Sequence, residues 1–197
     1  MNERIKEIKQ SFRLMMDGAV AQSMRNKGVD YHLNWGVTLP RLREKANEIG
    51  KDYDLAIAMW KENVRECKIL ATMVMPADVI LPEVVDIWME QTETVEIAEQ
   101  AAMNLYQYLP YAPMKAYEWI ASDKDLYQLC GFHVLSRLFM NRQEPNVRGI
   151  NEFLDQVHAA LQSSNVTVRK AALNSLNRFS ELGLVYERLS YSILRRI

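Results

Sequence analysis

The sequence predicts an all-α chain built from stacked helix pairs. Three observations predict it. Apolar residues recur at helical spacing along nearly the whole length, and no alternating pattern is long enough to compete as a strand. The six prolines, Pro40, Pro76, Pro82, Pro110, Pro113 and Pro145, fall at or beside the expected helix ends, where a missing N–H costs nothing. Several helices carry apolar residues on more than one stripe, as a helix touched on two sides must.

Taken in chain order, helices are expected near 2–26, 39–49, 53–61, 64–75, 80–91, 94–107, 111–122, 124–141, 147–162, 166–180 and 184–196. Polar caps stand at several starts: Asp52 or Asp54, Asn63, Ser122 or Asp123, and Ser164 or Asn165. The stretch "LAIAMWKENVRECKILATMVMP", 55–76, reads as a hairpin. It breaks around Lys61–Asn63 and restarts with a capping-box-like pair, Asn63 and Glu66. In its second helix Val64, Cys67, Ala71 and Val74 form one stripe, which Ile69, Leu70 and Met73 widen. The same two-sided pattern recurs in "LYQLCGFHVLSRLF", 126–139, and "RKAALNSLNRF", 169–179. Helix pairs arrive about every 35 to 40 residues, near the period of HEAT-like α-solenoids. About five to six pairs in one domain, 1–197, are expected; a compact helical bundle is the alternative. No strict sequence repeat is visible.

The composition excludes several classes. No apolar run of about 18 residues suits a membrane helix. The start, "MNERIKEIKQ", lacks the apolar core of a signal peptide, so a cytoplasmic location is expected. Cys67 and Cys130 lie in apolar helical patterns and read as buried free thiols. His32, His133 and His158 share no metal-ligand spacing, and no phosphate-binding glycine loop is present, so neither a metal nor another cofactor is expected. The net charge of −1 does not announce a nucleic-acid binder. It is unevenly spread: residues 1–70 carry 13 basic and 10 acidic residues, 71–141 carry 3 and 10, and 142–197 carry 8 and 5. Two mildly basic ends flank an acidic middle. Trp60, Trp88 and Trp119 sit at core spacing, and Trp35 reads as a packing anchor in a turn.

Residues 35–76 carry a longer pattern: Gly36, Val37, Pro40, Leu42, Arg43, then Leu55, Ala56, Trp60, then Glu66, Ile69, Leu70 and Ala71. This resembles the N-terminal half of the DNA alkylation repair glycosylases, with Lys68 where that family usually has Arg. "EWIAS", 118–122, and "VRKAALNSL", 168–176, resemble later repeats in the right order. The resemblance implies HEAT-like repeats and release of cationic N3- or N7-alkylated purines from DNA. The base is a good leaving group, so the chemistry needs a carboxylate beside an oxocarbenium-like sugar, and aromatic faces against the cation. The family supplies a Trp-x-x-x-Asp pair, a phosphate-gripping Arg and a late Trp. Here those positions fall on Val95, Glu99, Leu129 and Asn174 in turn. Only Glu99 keeps its chemistry, as a candidate catalytic carboxylate; a solvated helix carboxylate is its plainer reading. Arg169 and Lys170 match the family's late basic pair and, with Arg178, are the candidate DNA contacts. Glu66 and Lys68 read as bridging groups between helices.

Three functions follow: an active alkylpurine glycosylase using Glu99; a catalytically weak or silent relative that still binds duplex DNA; and a scaffold that binds a protein partner on a concave face. The acidic middle would repel phosphate. A DNA-related role with weak or no base excision therefore ranks first, and the protein scaffold is the alternative.

Overall fold

The computed structural model describes residues 2–196. Among them it contains twelve α-helices, one 3-10 turn and no strand. The helices are α1 (Asn2–Leu14), α2 (Gly18–Asn26), α3 (Leu39–Ile49), α4 (Tyr53–Trp60), α5 (Arg65–Val74), α6 (Pro82–Glu90), α7 (Val95–Asn104), α8 (Ala112–Ile120), α9 (Asp125–Met140), α10 (Val147–Leu161), α11 (Val166–Ser180) and α12 (Leu184–Leu194). Pro40, Pro82 and Pro113 lie in the first turn of α3, α6 and α8.

Several boundaries differ from the sequence reading: Lys124, not Ser122 or Asp123, is the N-cap of α9, the expected helix 94–107 ends at Asn104, and two further differences have clear local reasons. The expected helix 2–26 is two helices. Asp17 breaks it, because its carboxylate accepts from the Ala19 and Val20 N–H groups while its own N–H donates to the Trp35 carbonyl. The expected Asn63–Glu66 capping box does not form. Val64 is the N-cap, without a side-chain cap, and Glu66 points across to another segment. Asp52, Asn146 and Asn165 do cap α4, α10 and α11.

The chain divides into two compact units, residues 1–100 and 101–197. In the first, α4 and α5 form the hairpin of the opening motif, with α3 on α5 and α1 on α4. Its core holds Leu42, Leu55, Met59, Trp60, Ile69 and Leu70, all buried. Trp60 stacks on Trp88 with centroids 4.2 Å apart, and its Nε1–H donates to Gln91 Oε1 at 2.9 Å. In the second unit α8, α10 and α12 make one row and α9 and α11 the other. Phe132, Phe139, Phe153 and Phe179 fill the space between the rows as edge-to-face and tilted rings.

The repeat is visible in the contacts rather than in the letters. In the first unit Trp35 with Glu66, Trp60 with Gln91, and Arg65 with Glu96 are each 31 residues apart. In the second, Asp125 with Asn165, Ser136 with Asn174, and Arg142 with the Glu181 carbonyl are 40, 38 and 39 apart. A near-constant separation along both helices means that α9 and α11 run parallel, as equivalent helices of successive repeats do. The longer period follows from longer helices: α9, α10 and α11 have 16, 15 and 15 residues, against 10 in α5 and 10 in α7.

Candidate nucleic-acid interface

The three candidate basic residues lie on α11. Val168, Ala171, Ala172, Ser175, Leu176 and Phe179 form its buried face, which leaves Lys170, Leu173, Asn174 and Asn177 outward. Arg169 and Arg178 are nine residues apart, half a turn out of phase at 3.6 residues per turn, so they take opposite edges of that outward face. They also have other partners. The Arg169 guanidinium donates to the Ser163 and Ser164 carbonyls just beyond α10, where it ties the α10–α11 connection to the start of α11. Arg178 pairs with the Glu181 carboxylate at 3.0 Å, an exposed pair that a phosphate can displace. Lys170 is exposed and carries no such bond.

Beside them, α9 supplies two groups that sequence reasoning did not select. The Asn174 amide donates to Ser136 Oγ at 3.3 Å. Arg137 follows Ser136 directly, and His133 lies one turn earlier; both are half exposed. One turn before Asn174 on α11 lies Lys170. The signal was present in "LCGFHVLSRLF": His133 and Arg137 stand four apart and interrupt an otherwise apolar helix. Leu129, expected to occupy the family's Arg position, is 2% exposed and packs in the core. An ionised side chain could not reach solvent from it, whereas His133, one turn later on α9, is half exposed. Asn174 is outward, but as an amide bonded to α9 rather than as an aromatic wall.

Glu99 lies on α7, in the first unit, and is exposed. Val95 is the first residue of that helix and half exposed. One turn before Glu99 is Glu96, the centre of a buried ionic cluster. Arg65, 4% exposed, grips Glu96 with two bonds, Nε to Oε2 at 2.8 Å and Nη2 to Oε1 at 2.6 Å. Tyr31 adds its hydroxyl to Glu96 Oε2 at 2.6 Å. Burial alone would raise the Glu96 carboxyl, but the bonds and charge of Arg65, with Tyr31, hold it below its ordinary value. Burial, then the Glu96 partner, push the Tyr31 phenol upward, so it stays a donor.

The motif of 35–76 is the other half of this cluster. Glu66, fully buried, accepts from the Trp35 N–H at 3.1 Å, the Val37 N–H at 3.2 Å and Arg65 Nη1 at 3.2 Å. Arg65 Nη1 also donates to the Val37 carbonyl. Gly36 between them has φ +74°, and a Cβ there would meet the Asp17 carbonyl oxygen at 2.1 Å. Lys68 donates to the Trp60 carbonyl and sits over the Trp60 ring at 4.6 Å. Gly36, Val37, Glu66 and Lys68 are therefore fastenings of the first unit. Among the described residues no three His, Cys, Asp or Glu side chains cluster as metal ligands do. No helix among them is long and apolar enough to cross a membrane. Cys67 and Cys130 are both buried, and burial pushes the Cys67 thiol up to about 12.

These features define a HEAT-like repeat protein with a basic helix face. The family model of the DNA alkylation repair enzymes matches residues 8–182, and the chain belongs to that family. A solved structure, described as from a new family of proteins related to the HEAT-like repeat DNA glycosylases with affinity for branched DNA structures, matches with a TM-score of 0.86. It is 16% identical, over 96% of this chain and 81% of that one, so the likeness is one of fold. No curated protein sequence matches.

Proposed function

We propose that this DNA alkylation repair-family protein binds DNA through the α9–α11 face, in the cytoplasm, and excises alkylated purines slowly or not at all. The observation that carries this reading is the composition of that face. Lys170, Arg137, His133 and the displaceable Arg178 are suited to phosphate. The outward residues of α11 include no aromatic ring to hold a cationic base. Glu99 is the one carried-over position that retains its chemistry, and an exposed carboxylate stabilises a developing cation less than a sheltered one does. The branched-DNA affinity described for the structural relative makes a four-way junction the ligand to compare with linear duplex.

Titration of labelled junction and duplex over a range of salt tests the reading. Both should bind with a steep salt dependence, the junction more tightly. Lys170→Ala and Arg137→Ala should each weaken binding and flatten the slope by about one phosphate contact. Salt-independent binding, or slopes unchanged in both variants, would remove DNA from this face.

A further inference from the structure

The last helix carries a second basic surface, of a different kind from the first. α12 packs on α11 and α10, with Ser190 and Ile193 buried and the Tyr186 ring against Phe179. Its opposite side is open. Leu184, Arg188, Tyr191 and Arg195 follow one another at i, i+4, i+7 and i+11, so they stand in one line along the helix, and all four are exposed. Tyr191 is 57% exposed, and its side chain enters no ring pair or hydrogen bond among the described residues. Arg188, Arg195 and the adjacent Arg196 form no ion pair among them. The one acid of the helix, Glu187, is half-buried at the edge of the line. Two further acids of this region are already bonded: Glu144 accepts from the Tyr186 hydroxyl at 2.7 Å, and Glu181 pairs with Arg178. The line also continues the α11 face. Arg178 binds the Glu181 carboxylate and Arg142 donates to the Glu181 carbonyl, three residues before Leu184. The charge calls for an anion, and the open ring narrows the choice. A guanidinium binds phosphate, and a tyrosine ring stacks on a base whose face is free, as the bases inside a duplex are not. An acidic peptide would meet the arginines and leave the ring without a stacking partner.

We propose that α12 binds an unpaired DNA strand, with a base stacked on Tyr191 and phosphates on Arg188 and Arg195. The proposal rests on the DNA reading of the α9–α11 face and adds a strand preference to it. The outward residues of α11 include no aromatic ring and suit phosphates alone, whereas Tyr191 separates unpaired from paired bases.

The test uses the full chain with three fluorescent probes: a single DNA strand of about 16 nucleotides, the same strand as a blunt duplex, and an oligoglutamate peptide. Anisotropy should show that Tyr191→Ala weakens single-strand binding about tenfold and leaves duplex binding unchanged, while Tyr191→Phe, which keeps the ring, binds as wild type does. Arg188→Ala/Arg195→Ala should weaken single-strand binding and flatten its salt slope by about two phosphate contacts. These positions face solvent, and circular dichroism with thermal melting confirms that each variant folds. Single-strand binding that Tyr191→Ala does not change overturns the proposal, as does no single-strand binding. Duplex binding that neither Lys170→Ala nor Arg137→Ala changes overturns the α9–α11 reading instead, so the two failures are distinct. Oligoglutamate bound as tightly as the single strand also overturns the proposal, by making an acidic protein the occupant. Concentration-dependent self-association that Tyr191→Ala abolishes does the same, by making it a second copy of the chain.

Discussion

Gly36 has the least tolerant backbone in the first unit. Its positive φ disfavours any side chain, and the Asp17 carbonyl occupies the place of a Cβ. Gly36→Ala should cost about 1–3 kcal/mol in a urea melt, with strain and the clash acting together. Its neighbours in the cluster behave differently. Arg65→Ala would leave Glu66 buried without its cation, and a loss of roughly 3–5 kcal/mol is expected. The pH dependence follows from Glu96. Its folded carboxyl lies below the ordinary value of 4.5, so the stability it contributes is present above that value and drains away as pH falls below it. Acid melts should therefore show a steeper loss of stability below about pH 4.5 in wild type than in Glu96→Gln. Parallel curves would mean that Arg65 does not depress this carboxyl.

At the scale of the element, α5 shows the cost of packing and α11 the placing of charge. Leu70 is fully buried on α5, and Leu70→Ala should cost roughly 2–5 kcal/mol in the same melt. On α11 the sequence pairs Arg169 with Lys170, yet only Arg169 bonds the Ser163 and Ser164 carbonyls, while Lys170 is exposed. Arg169→Ala should lower the melting temperature, because the Ser163 and Ser164 carbonyls lose their donor. Lys170→Ala should leave the melt unchanged and act only on DNA binding. Were Arg169→Ala to flatten the salt slope with no change in stability, its bonds to those carbonyls would be the lesser role.

For the whole molecule the question is how much base excision remains. At the positions where the resemblance expects the family's aromatics, Val95 offers no cation–π contact, worth about 0.5–2 kcal/mol, and Asn174 no second wall. A few kcal/mol is several powers of ten in rate. Single-turnover release of 7-methylguanine from methylated duplex should be slow or undetectable, with no difference between wild type and Glu99→Gln. Robust release abolished by Glu99→Gln would make Glu99 the catalytic carboxylate and overturn that reading.

The helical class, most boundaries, the proline-marked starts and the identity of the buried tryptophans were all legible in the letters. They rest on local rules: period, caps and backbone restriction act within one turn or two. The family was legible too, because Gly36, Val37 and Glu66 serve a fastening that tolerates few substitutes. Three things needed the tertiary structure. The break at Asp17 depends on the Trp35 carbonyl, 18 residues away. The period shifts from 31 to about 39 residues between the units because helix length changes, which blurs any repeat in the sequence. The standing of each charge was the third: Arg169 is spoken for and Lys170 is not, Leu129 faces inward, and His133 and Arg137 emerge beside Asn174. A charge in a sequence has a sign but no neighbours, and its neighbours decide whether it binds a ligand or holds a helix.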